Sequence, residues 1–72
     1  MKFKIGQEII LLATDGKPAA GKAVVDLVDE TNQFYRVVHY LNDNAIPEVI
    51  EDVPEGRLVT ATDLVRSILN SR

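Results

Sequence analysis

Lys22-Ala-Val-Val-Asp-Leu-Val28 and Phe34-Tyr-Arg-Val-Val-His-Tyr40, joined through Asp29-Glu30-Thr31-Asn32, form the stretch on which the reading of this chain turns. Both runs are dense in β-branched and aromatic residues, and the residues between them have turn chemistry. The segment from Gly21 to Tyr40 therefore reads as a β-hairpin with strands over 22–28 and 34–40. Side chains alternate across a strand, so each strand offers two faces. In the first, the all-apolar set Ala23, Val25 and Leu27 is expected to point inward, away from Val24, Asp26 and Val28. In the second, Tyr35, Val37, His39 and Leu41 oppose Phe34, Arg36, Val38 and Tyr40, and Arg36 marks its own face as the wet one. Two aromatic rings and a valine around a guanidinium are more apolar surface than a solvent face requires. Phe34, Arg36, Val38 and Tyr40 are thus the candidate contact surface for a protein partner.

Outward from the hairpin, Glu8 to Ala13 is nearly all apolar and reads as a strand over 8–13 with both faces covered, entered through a turn or bulge at Gly6. Residues 14–21 carry Asp15-Gly16 and Lys17-Pro18 and read as a loop. Beyond the hairpin, Asn42-Asp43-Asn44 is a polar turn, and Glu48 to Val53 reads as a strand over 48–53. Pro47 and the carboxylates of Glu48, Glu51 and Asp52 mark that strand as a sheet edge protected from further pairing, and the same acids rim the candidate contact surface. Pro54-Glu55-Gly56 is a tight turn in which Gly56 would supply a positive φ. A last strand is expected over 57–60 and a helix over 61–70. Thr60 and Asp63 have the spacing of a capping box. Ala61, Leu64, Val65, Ile68 and Leu69 fall at helical spacing on one stripe. Burial would contribute about 1.5–3 kcal/mol for each large side chain of that stripe. A helix of this length needs such packing, either on its own barrel or on a second copy of the chain. In the second case Leu64, Val65, Ile68 and Leu69 are the oligomer interface.

The chain has 72 residues and no cysteine, which bounds it to one domain (1–72) held by apolar burial without disulfides or thiolate metal sites. No apolar run is long enough to span a bilayer, and Gly6-Gln7-Glu8 interrupts any signal-like opening, so a cytoplasmic protein is expected. The net charge of −3 conceals an asymmetry. Residues 26–55 carry Asp26, Asp29, Glu30, Asp43, Glu48, Glu51, Asp52 and Glu55 against Arg36, whereas each flank carries a small basic excess. Nucleic-acid binding wants a basic stripe with stacking aromatics, and here the aromatics lie in the acidic third. The acidic third suits a solvated face, a basic protein partner, or head-to-tail self-association through the opposite charges of the flanks.

No catalytic residues are assigned. His39 is the only histidine and lacks a nucleophile with an orienting acid; it reads as a rim histidine with a satisfied hydrogen bond, and Asp26, across the hairpin, falls on the other face and is not brought to it. The carboxylates of Glu48, Glu51, Asp52 and Glu55, and the run Asn42-Asp43-Asn44, lack the spacing, glycine and terminal glutamate of a calcium loop. Neither a metal nor a cofactor is expected.

Five short strands in meander order with a closing helix describe an all-β fold. The opening Phe3-Lys-Ile-Gly6-Gln-Glu-Ile9, the segment Gly21-Lys-Ala-Val-Val25, Tyr35-Arg-Val37 and the short stretch Glu55 to Val59 together resemble the SH3-like barrel superfamily, in particular its KOW, Tudor and Agenet-type domains. The likeness covers residues 3–60 and implies a five-stranded SH3-like barrel with an added C-terminal helix, acting as a non-enzymatic binding module. Tudor-type domains read methylated side chains through aromatic cages, for which this chain has only Phe3, Phe34, Tyr35 and Tyr40. KOW-type domains bind nucleic acid or ribosomal protein. One enzyme in the superfamily, the plasmid-type dihydrofolate reductase, uses a Val-Gln-Ile-Tyr strand, and Glu48-Val-Ile-Glu51 agrees with it only at the isoleucine. The expectation is therefore a protein-interaction module, with a structural homo-oligomer or a nucleic-acid-associated KOW-like module as the alternatives.

Overall fold

A computed structural model describes residues 2–70. The strands are β1 (Glu8–Leu11), β2 (Lys22–Asp29), β3 (Phe34–Tyr40), β4 (Glu48–Pro54) and β5 (Leu58–Val59), followed by the helix α1 (Ala61–Asn70). A single 3-10 turn, Glu55–Arg57, links β4 to β5. All pairings are antiparallel, and the spatial order is β4-β3-β2-β1-β5. The result is a sheet curled into a half-barrel with β4 at one edge, as its proline and acids require.

β3 and α1 have the expected bounds, while β2 and β4 each run one residue further. β1 ends at Leu11, not Ala13; Leu12 makes only an isolated bridge with Pro18 while its N–H donates to the Arg57 carbonyl. The intervening loop is a tight turn in which Ala13 N–H donates to the Lys17 carbonyl. β5 is confined to two residues, since Arg57 belongs to the 3-10 turn. Gly56 does not take the positive φ expected of it; the left-handed residues include Gln33 (φ 61°), which closes the β2–β3 hairpin, and Asp52 (φ 56°).

The concave side holds the core: Phe3, Ile9, Leu11, Ala23, Val25, Tyr35, Val37, Val53 and Leu58 are buried, with Val28 and Ile50 packed against them. Among the described residues no buried one is polar or charged apart from the phenol of Tyr35, which is partnered. Two expected core residues are outside. Leu27 is 41% exposed because β2 is bulged: Val25 pairs with Val37 but Leu27 with Arg36, so Asp26 is extra and the parity of the strand reverses. Leu27 then faces out and Val28 faces in. Leu41 is exposed because it lies beyond the end of β3. A second bulge resets β4, where Ile50 pairs with Val37 and Val53 with Tyr35. Two residues, Glu51 and Asp52, thus oppose Arg36, and Ile50 and Val53 both reach the core.

The helix is capped as expected, Thr60 Oγ1 accepting from Asp63 N–H at 3.0 Å. Its packing is the largest departure from an ordinary small domain. No residue of α1 is buried, and Val65 and Leu69 remain 56% and 60% exposed. Lys2 Nζ, 3.6 Å from Asp63 Oδ2, ties its first turn to the N-terminal segment.

Candidate functional site

The outward face of β2, β3 and β4 is organised in rows of directly opposed residues. The first pairs Tyr40 with Lys22, whose ammonium lies 5.9 Å from the ring centroid. The second runs Val24–Val38–Val49 across three strands, with Glu8 of β1 opposite Val24. The third centres on Arg36, whose Nε donates to Asp26 Oδ2 at 2.7 Å and whose guanidinium lies 3.5 Å from Glu51 Oε1. The fourth is Asp29–Phe34–Pro54.

Each row follows from local sequence. Valines at three outward positions form a ladder because β-branched side chains pack well across paired strands. Arg36 sits between the two bulges, and each bulge delivers an acid to it. The hydrogen bond from Arg36 to Asp26, followed by the neighbouring charges, holds the guanidinium protonated still more firmly than usual. Asp29 is held below the usual carboxylate range, first by the Asn32 side-chain amide and then by the Asn32 backbone N–H.

Phe34, Arg36, Val38 and Tyr40 do share one face of β3, all half-buried. They are not one continuous patch. The Asp26–Arg36–Glu51 triad separates Phe34 from Val38 and Tyr40, and Phe34 instead lines a shallow depression of about 180 Å³ with Leu27, Asp29, Arg36, Glu51 and Asp52. Glu48 does not join this face: it stands opposite His39, on the side of Val37. Val24 and Val49, absent from the expected surface, complete the apolar row. Val24 was legible from its place on the Asp26 face, and Val49 needed only the register of β4 on β3.

Asp26 does not approach His39 as a partner, being engaged by Arg36. His39 lies opposite Ala23, and its Nε2 donates to the Ala20 carbonyl at 2.6 Å. Glu55 is remote from Glu48 and Glu51 in role. Its Oε2 accepts from the buried Tyr35 hydroxyl at 2.8 Å and from Lys2 N–H at 3.2 Å, while Phe3 N–H donates to the same hydroxyl at 3.1 Å. These bonds seat the N-terminal segment on the barrel. Among the described residues, no three acidic or histidine side chains converge as metal ligands, and no helix is long and apolar enough to cross a membrane. No protein-family model, curated protein or solved structure matches the chain.

Proposed function

We propose that the half-barrel is an SH3-like barrel serving as a non-enzymatic protein-interaction module, with the outward face of β2–β3–β4 as its contact surface. The five-strand meander in which β1 also pairs with β5 supports the barrel assignment. The observation that carries the binding role is the Val24–Val38–Val49 ladder, an apolar row on the outside of the sheet whose edge member, Val49, is 58% exposed. Tyr40 extends the row, and Glu51 with Asp52 supplies an acidic margin that favours a basic rim on the partner.

Val49→Ser tests the reading, since truncation at so exposed a position costs little stability. Association retained by wild type and lost in Val49→Ser, with circular dichroism unchanged, supports the module. Equal behaviour of both proteins in cross-linking and sedimentation, alone and with host lysate, would sink it. A second reading, the homo-oligomer through Leu64, Val65, Ile68 and Leu69, is favoured by the exposure of the helix stripe.

A further inference from the structure

The chain carries two exposed apolar surfaces. One is the valine ladder on the convex face of the sheet. The other is the stripe of α1, on which Val65 and Leu69 are more than half exposed and Leu64 only partly covered. We propose that α1 of a second copy of this chain covers the Val24–Val38–Val49 ladder, the two chains exchanging helices about a twofold axis. The inference rests on the contact surface proposed above and names its occupant.

Three observations select a second copy. The first is dimension. Ten helical residues at 1.5 Å each extend about 15 Å, close to the width of the three strands and their margins at roughly 4.8 Å spacing. The second is position. α1 leaves from β5, the edge opposite β4, and buries none of its residues on its own sheet. Val65 and Leu69 of the stripe stay more than half exposed, where a neighbour can meet them. The third is charge. Arg66 borders the stripe beside Leu69, is largely exposed, and has Asp63 at 4.0 Å as a loose contact. Asp26, Glu51 and Asp52 surround Arg36 in the row beside the ladder, so that row is net acidic. Seating the stripe on the ladder brings Arg66 of one chain against that acidic row of the other.

Exchange about a twofold axis covers both surfaces of each chain and closes the assembly at two copies.

Sedimentation and light scattering of the full chain over a wide concentration range provide the test. Wild type is expected to dimerise. Val65→Ser/Leu69→Ser and Val49→Ser, each folded by circular dichroism, are expected to be monomeric. An equimolar mixture of the two variants should recover a weaker dimer, because the intact helix of one meets the intact ladder of the other. A monomeric wild type overturns the exchange but leaves the module standing if Val49→Ser still abolishes capture of another protein. A dimer lost in the helix variant but kept in Val49→Ser means helix-to-helix pairing and overturns it too. So does a mixture that stays monomeric. Loss of every Val49 effect, on self-association and on capture alike, overturns the module itself.

Discussion

At Gly21 the backbone takes φ 83°, and a Cβ there would overlap the Tyr40 carbonyl oxygen and crowd the Leu41 backbone. Neither neighbour is a flexible side chain. Gly16 has the same φ with open space around it. Gly21→Ala is therefore expected to cost about 3 kcal/mol or more, and Gly16→Ala only the backbone penalty of about 1 kcal/mol; urea titration of the two variants checks the contrast. Equal losses would mean that the contact, and not just the dihedral, had been misjudged. A second residue-scale consequence lies at Glu55. The Tyr35 hydroxyl, and after it the Lys2 backbone N–H, hold its carboxyl below its ordinary value of 4.5. Burial pushes the phenol of Tyr35 up, so it remains a hydrogen donor. A depressed carboxyl contributes stability that is fully present above the unfolded value and is lost as pH falls through the folded one. The thermal midpoint should accordingly decline below about pH 4.5, and Tyr35→Phe, which removes the hydroxyl donor, should flatten the Glu55 part of that decline. An acid profile identical in the variant would count against the Tyr35–Glu55 bond.

Among the elements, β3 and α1 were fully legible because each satisfies one period from end to end: Phe34 to Tyr40 alternates, and Ala61 to Leu69 repeats at three and four. β2 and β4 were legible only in part. Their bulges arise where two residues face the single Arg36, and alternation within one strand carries no record of what its neighbour offers. Leu27 was thus assigned to the core and Val28 to the surface, the reverse of what pairing dictates. Gln33 and Asp52 adopt left-handed backbone that glycine would have announced. The candidate site inherited the same fault. Its β3 residues were found, but the Asp26–Arg36–Glu51 row that divides them was not. α1 gives the element-scale prediction. Every core residue lies between Phe3 and Leu58, ahead of the helix. A chain ending at Thr60 should unfold cooperatively at high dilution, within about 1 kcal/mol of the full chain, because exposed ion pairs such as Lys2–Asp63 are worth ~0–1 kcal/mol. A collapse of the midpoint would show that α1 braces the barrel.

At the scale of the whole molecule, the core is small and apolar but for the Tyr35 hydroxyl, with no disulfide. At ~0.05–0.15 kcal/mol per residue, a domain of this length is stable by roughly 4–11 kcal/mol. Ile9, fully buried at the junction of β1 and β2, should cost about 2–5 kcal/mol on truncation to alanine. That is enough to leave a measurable unfolded fraction at ambient temperature, which chemical denaturation would register as a shifted midpoint with an unchanged slope. A loss below about 1 kcal/mol would contradict so tight a core. The edge of the sheet bears on a different hazard. β4 is bounded by Pro47 and Pro54 and broken by the left-handed Asp52, which leaves Glu48 to Ile50 as its regular segment. Three residues are too short a template for another strand to copy, and the prolines at 47 and 54 have no N–H to donate. Whatever adheres to the valines outside the sheet, the chain is poorly built to propagate into fibres: its stickiness is confined to side chains, where geometry can bring it to a stop.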